Sequence, residues 1–209
     1  MSGRFLVLEG ADGVGKSTQS RLIADWVRSH KGEAVETREP GGTPYGLRIR
    51  AILLDQVEPL DARSEALLMA ADRAHHLSEL IRPALARGAW VISDRHVPSS
   101  LVYQGVARGL GVEEVGAINK WATAGSEPDL VIVLDLPDGE LEARREARVG
   151  GSDRLELEGD EFHASVRNAY RELAVDRGWE LVDASGEQAE VSKRVVAVVE
   201  ARLGRPTSP

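Results

Sequence analysis

The chain of 209 residues contains no cysteine. Disulfides, Cys-ligated zinc and thiol nucleophiles are therefore excluded. Basic charge is also short: 26 Lys and Arg stand against 34 Asp and Glu, a formal net charge of −8. A protein that grips a polyanion usually carries a basic domain or face, so the balance argues against nucleic acid as a partner. An anionic small substrate stays open, because a local arginine cluster can sit inside an acidic protein. No segment approaches the roughly 18 consecutive apolar residues of a membrane span. Met1-Ser2-Gly3-Arg4 leads into only a short apolar run, not the apolar stretch of a signal peptide. A cytoplasmic protein without membrane contact is expected. Internal repeats and low-complexity tracts are missing too. The length suits one domain, expected over 1–204 with a disordered tail at 205–209.

What remains alternates between two patterns. Phe5-Leu6-Val7-Leu8, Ala89-Trp90-Val91-Ile92, Val131-Ile132-Val133-Leu134 and Glu180-Leu181-Val182 are short strand-like runs, and Ala34-Val35 is a weaker one. Between them lie helical spacings: Leu22, Ile23, Trp26 and Val27; Ile49 to Leu54; Ser64 to Ala86; and a final stripe of Val191, Val195, Val198 and Val199. Pro40-Gly41-Gly42 marks a loop and Gly88 a helix stop. Short apolar runs separated by helices indicate βαβ units, hence an α/β fold with a parallel sheet covered on both faces.

The sharpest motif is Gly10-Ala11-Asp12-Gly13-Val14-Gly15-Lys16-Ser17, followed by Thr18. It fits the phosphate-loop pattern G-x-x-x-x-G-K-[ST], with a strand before it and a helix after it. Glycines let the backbone curl so that its N–H groups face phosphate oxygens, Lys16 adds a point charge, and the Ser17 hydroxyl is placed to ligate Mg²⁺. The following helix offers its positive end. The motif implies ATP with Mg²⁺ but does not choose among kinases, GTPases and motor ATPases. A GTPase needs a guanine-reading N-K-x-D segment, and Asn119-Lys120-Trp121-Ala122 has no aspartate. A motor ATPase would end its second acidic strand in D-E, whereas here the strand ends in Asp94-Arg95. An acid followed by arginine suits a small-molecule kinase: Asp94 can hold Mg²⁺ through water while Arg95 faces a second phosphate.

Three further segments resemble the bacterial thymidylate kinase family. They are Thr37-Arg38-Glu39-Pro40-Gly41-Gly42-Thr43, then Asp94-Arg95-His96 through Tyr103-Gln104-Gly105, and Ser152-Asp153-Arg154-Leu155-Glu156 followed by Phe162, Arg167 and Tyr170. The resemblance runs from about Phe5 to Ser185. It implies a five-stranded parallel sheet flanked by helices on both faces, a homodimer, and transfer of the ATP γ-phosphate to dTMP.

It also implies site residues. Asp12 would accept a hydrogen bond from the 3′-hydroxyl of dTMP. Arg50 and Arg95 would hold its phosphate, since guanidinium fixes both charge and direction. Arg73 would bond the thymine carbonyl. Ser100 and Gln104 would line the base or sugar, Tyr103 would pack beneath the deoxyribose and exclude a 2′-hydroxyl, and Tyr170 would stand beside the pocket. A lid is expected around 144–157. Gly13 leaves the phosphate loop without the extra arginine some members carry, so the lid would supply that cation, with Arg148 and Arg154 the candidates among Arg144, Arg145, Arg148 and Arg154. Positive charge over the transferring group matters more here than a base.

One residue departs from the pattern. Met69 stands where the family usually has a phenylalanine stacked on thymine, one helical turn before Arg73. Methionine can lie against a ring through its polarizable sulfur but cannot stack. A kinase for another nucleoside monophosphate or deoxynucleoside therefore stays an alternative. An ATP-sensing regulatory module is a second, although it would have no need of Asp12, Arg50, Arg73 and Arg95 converging on one pocket.

Overall fold

The computed structural model describes residues 3–55, 60–146, 154–155 and 157–204. The tail at 205–209 and the lid candidate Arg148 lie outside the described residues. Five strands, β1 (Arg4–Glu9), β2 (Ala34–Arg38), β3 (Trp90–Asp94), β4 (Leu130–Asp135) and β5 (Glu180–Asp183), form one sheet in the order β2-β3-β1-β4-β5. Every pairing is parallel. The helices are α1 (Lys16–His30), α2 (Pro44–Leu54), α3 (Ala62–His76), α4 (Arg82–Ala86), α5 (Val97–Ser100), α6 (Val112–Thr123), α7 (Asp138–Glu146), α8 (Asp160–Arg177) and α9 (Gln188–Leu203). None is long and apolar enough to cross a membrane among the described residues.

The strand sequences explain the layering. Phe5 to Leu8 in β1 and Ile132 to Leu134 in β4 are almost wholly buried, which requires cover on both faces of the sheet. Each fully buried aliphatic side chain contributes roughly 1.5–3 kcal/mol. Val191, Val195 and Val199 of α9 close one side, as their spacing predicts, and Val198 packs at the margin. Leu77–Ile81 is a π-helical turn that joins α3 to α4 in one rod, and a second π-helical stretch, Leu101–Ala107, continues α5. Such wide turns insert an extra residue and often sit near functional sites.

Local chemistry moves several boundaries away from the sequence pattern. The helix expected from Ile49 begins earlier, at Pro44. Thr43 caps it, its Oγ1 accepting from the Gly46 N–H at 2.9 Å, and proline occupies the first helical position. The weak run Ala34-Val35 extends through Arg38 because it pairs along β3, with Arg38 beside Asp94.

The strand order places the site. The chain runs from β1 to β2 on one flank and returns past β1 to β4 on the other. β1 and β3 are neighbours, with Leu8 opposite Asp94, and their carboxyl ends open at the switch point where ligands bind in open α/β sheets.

Candidate active site

The loop between β1 and α1 is shaped by glycine. Gly10, Gly13 and Gly15 have φ of 131°, 92° and 99°, a region L side chains rarely adopt. Gly10 has a second constraint: a β-carbon there would lie 2.4 Å from the Leu134 carbonyl oxygen. Gly15 caps α1 without a capping side chain, so the first-turn N–H groups can serve an anion. Lys16 folds back into the loop, its Nζ donating to the carbonyls of Gly10 at 3.1 Å and Ala11 at 2.8 Å. Burial first, and the Arg95 cation second, push its pKa down to about 8, against the opposing pull of Asp12, Asp94 and Glu9. Ser17 Oγ donates to Asp94 Oδ2 at 2.5 Å, joining the loop to the end of β3. Val14 turns into the core, while Thr18 faces the cleft.

Arg95 stands at the centre. Its backbone φ is 75°, a left-handed conformation uncommon outside glycine, and its N–H donates to the Leu8 carbonyl at 2.9 Å. Nη2 donates to Asp12 Oδ1 at 2.6 Å and to the Tyr103 hydroxyl at 3.1 Å. Nη1 donates to Ser99 Oγ and the Tyr170 hydroxyl, each at 3.0 Å, and to the Gly10 carbonyl at 3.2 Å. Tyr103 donates in turn to Asp12 Oδ2 at 2.8 Å. Burial works to raise the Asp12 carboxyl, but Arg95, Lys16 and the Tyr103 hydroxyl hold it well below the ordinary range. Behind these groups lies Glu9, fully buried. It accepts from the His96 N–H at 2.8 Å, Ser99 Oγ at 2.6 Å and the Tyr170 hydroxyl at 2.8 Å. Burial nonetheless pushes its carboxyl up, against Arg95 and these hydrogen bonds.

A second ion pair, this one fully buried, forms the other half. Arg73 of α3 donates through Nε to Glu39 Oε2 at 2.7 Å, through Nη1 to Ser100 Oγ at 3.0 Å and to Asn119 Oδ1, and through Nη2 to the His96 carbonyl at 2.9 Å. Glu39 Oε1 lies 2.9 Å from Nδ1 of both His76 and His96. Burial would raise the Glu39 carboxyl, but His96 and Arg73 hold it well below the usual range.

Both halves open onto one cleft of about 400 Å³. Its lining includes Asp12, Gly13, Gly15, Lys16, Ser17 and Thr18 of the phosphate loop, Arg50, Met69, Arg73, Ser100, Tyr103 and Gln104, and Asp94 and Arg95 at the end of β3. Arg50 Nη1 donates to the Pro40 carbonyl at 3.1 Å. Tyr170 acts from behind the cleft wall, through Arg95 and Glu9. Gln104 gives its amide to Glu65 Oε1 at 2.8 Å. Arg154 is turned to the same buried carboxylate, Nη2 to Glu65 Oε2 at 2.5 Å, with Nε on the Leu53 carbonyl at 3.1 Å. Arg144 donates to the Ala184 carbonyl at 3.2 Å.

Sequence reasoning missed the supporting groups: Glu9, Glu39, Glu65, His96, Ser99 and Asn119. Glu9 did leave a signal, an acid ending an otherwise apolar strand directly before the loop. Glu39 sits inside the quoted Arg-Glu-Pro-Gly-Gly-Thr segment. Nothing local marks Asn119 or Glu65.

A phosphate loop that shares its cleft with an arginine-lined acceptor half is the design of a P-loop kinase for small anionic substrates. The family model described as thymidylate kinase matches residues 8–195. Among curated relatives, thymidylate kinase of Clavibacter sepedonicus is 46% identical over 188 residues, covering 86% of this chain and 89% of that protein. The thymidylate kinase of Leifsonia xyli subsp. xyli is 45% identical over 202 residues, covering 96% of both. That of Halothermothrix orenii is 44% identical over 197 residues, covering 93% and 95%. The chain belongs to the thymidylate kinase family.

The depressed Lys16 pKa makes activity depend on pH with a definite sign. The protonated ammonium is the form that neutralises phosphate charge, so kcat/KM for ATP should fall as pH rises past about 8, because that ratio reports the free enzyme. Lys16→Arg should move this alkaline limb upward, since guanidinium keeps its proton, even at a lower rate. A pH–rate profile of both proteins is the check; an unmoved limb would assign it to another group.

Proposed function

We propose that the cleft holds ATP and dTMP end to end and passes the γ-phosphate directly between them, giving ADP and dTDP. The family membership gives the reaction; the assignment of residues is our own. What supports it is Arg95, which is hydrogen-bonded to Gly10 and Asp12 of the phosphate loop and to Tyr103, and lines the same cleft as Arg73. Gly10 to Thr18 bind the ATP phosphates, with Lys16 as the fixed cation. Asp12, kept ionised, accepts from the sugar 3′-hydroxyl. Arg95 and Arg50 take the acceptor phosphate, Arg73 reads the base edge, and Ser100, Tyr103 and Gln104 complete the wall around base and sugar. Phosphoryl transfer needs alignment and positive charge more than covalent chemistry. Arg148 is the proposed lid cation. Arg154 can join it only by leaving Glu65.

Magnesium is the proposed metal. Ser17 and Asp94 bring hard oxygen donors together, the type this ion prefers. Among the described residues no group of three or more His, Asp or Glu could hold a metal unaided, so nucleotide oxygens and water would complete the shell. Bound there, the ion would neutralise charge on the phosphates.

A homodimer in the cytoplasm is proposed too. Ile52 of α2, Leu67 of α3 and Trp121 of α6 are 56%, 58% and 86% exposed, large apolar side chains that a second copy could cover. Sedimentation equilibrium should give twice the chain mass of 22.6 kDa, and the mass of one chain would refute this.

With ATP and Mg²⁺, purified protein should convert dTMP to dTDP far faster than it converts dCMP, dGMP or AMP, measured by chromatography. Preference for another monophosphate would overturn the assignment and favour the alternative raised by Met69.

Met69 is half-buried and lines the cleft one helical turn from Arg73. Aromatic stacking is worth roughly 0.5–1.5 kcal/mol, about twofold to twelvefold in affinity. Met69→Phe should therefore lower KM for dTMP by about that factor with kcat little changed, as for a contact shared by ground and transition states. A lower melting temperature with an unchanged KM would instead make Met69 a packing residue only.

A further inference from the structure

His96 follows Arg95 directly and is fully buried, yet it is not among the residues lining the cleft. Its contacts are unusual in where they lead. The backbone N–H donates to Glu9 Oε1 at 2.8 Å, and Glu9 lies 4.0 Å from Arg95 Nη1. The backbone carbonyl accepts from Arg73 Nη2 at 2.9 Å. The ring Nδ1 lies 2.9 Å from Glu39 Oε1, and Glu39 is the partner of Arg73. A carboxylate kept ionised can only accept, so Nδ1 is the donor. The ring is held edge-on against Phe5 of β1, centroids 5.0 Å apart. One residue thus touches both members of the buried Arg73–Glu39 pair and also Glu9, the buried acid beside Arg95. His76 shares Glu39 but turns its other nitrogen to Thr37 Oγ1 at 2.7 Å, away from the Arg95 half.

A nucleoside monophosphate presents its base edge and its phosphate at a separation fixed by its own covalent frame. The two arginines proposed to receive those ends sit on different elements, Arg73 on α3 and Arg95 beyond β3. Arginine side chains are long and rich in rotamers, so their spacing needs an internal reference.

We propose that His96 is a positioning residue which fixes Arg73 relative to Arg95, and so sets the base-to-phosphate span the acceptor pocket takes. The inference rests on the reading of the cleft as a dTMP site. His96 touches no reacting atom; it acts through Glu39 and Arg73.

Two substitutions separate this role from simple packing. His96→Phe keeps an aromatic ring against Phe5 and removes the donor to Glu39. His96→Asn removes the ring but leaves an amide N–H near the place of Nδ1. Steady-state kinetics and melting temperatures of both are measured beside the unmodified enzyme. The positioning role requires His96→Phe to raise KM for dTMP about tenfold, the scale of a lost hydrogen bond to a charged group, with kcat and the KM for ATP within about twofold. It requires His96→Asn to bring KM back towards the original value although its melting temperature is the lower of the two. A KM for dTMP that follows melting temperature, worse in His96→Asn, would overturn the proposal, as would an unchanged KM in His96→Phe. Should the phenylalanine variant fail to fold, His96→Met, apolar and flexible, carries the same comparison. Unmodified enzyme that ignores dTMP would sink the dTMP reading instead, and the comparison would then run on the monophosphate it accepts.

Discussion

A carboxylate buried at the end of the central strand organises this molecule. Glu9 is fully buried, and an ionisable group in that position is costly unless it is surrounded by partners. The fold surrounds it. Donors come from the residues after β3, Ser99 and the His96 backbone, and from Tyr170 of α8, with Arg95 close by. These elements are far apart in the chain: β1 and β3 meet as neighbours in the sheet, and α8 packs on the Leu101–Ala107 stretch that follows β3. The arrangement of the phosphate half therefore follows from satisfying one acid. Burial already pushes the Glu9 carboxyl up, and without its hydrogen-bond donors only the Arg95 charge would oppose that push.

The rest of the cleft repeats this scheme with the charges held in pairs. Arg95 rests on Asp12 and Arg73 on Glu39. Removing one partner of the buried Arg73–Glu39 pair leaves a lone charge and is far worse than never having had the pair; the half-buried Arg95–Asp12 pair carries less of that penalty. Each arginine is thus held by its carboxylate partner before any ligand arrives, which leaves it little side-chain freedom to lose on binding. The catalytic demand is of the same kind. A transferring phosphoryl group needs cations already in position, in a site where water is scarce and charge counts for more.

Much of this was legible in the sequence, and what was not shares a cause. The phosphate loop could be read because its function is a property of consecutive residues: three glycines at positive φ, then Lys16 and Ser17. The strands could be read because parallel strands buried on both faces are continuous apolar runs. The family resemblance brought Arg73, Arg95, Ser100, Tyr103 and Gln104, and all of them line the one cleft. Glu9, Glu39, Glu65 and Asn119 stayed hidden because their importance lies in pairings across long stretches of chain. Arg73 and Asn119 are 46 residues apart, and Glu9 and Tyr170 are 161 apart. No spacing rule reaches that far. Arg154 shows the opposite limit: an arginine in a promising segment, turned in the structure to a buried acid that the sequence did not flag.

The loop glycine that ends β1 has a meaning for how this chain can vary. Gly10 faces the Leu134 carbonyl so closely that a single added carbon would sit 2.4 Å from that oxygen. The carbonyl belongs to β4, whose register with β1 runs from Leu6 opposite Leu130 to Glu9 opposite Val133. A methyl group at position 10 would have to wedge two central strands apart, and backbone, unlike a flexible side chain, has nowhere to swing. Mutational drift can exchange many of the side chains described above for others of like size or charge. At position 10 both the positive φ and the facing carbonyl exclude a side chain, so drift there has no like residue to draw on.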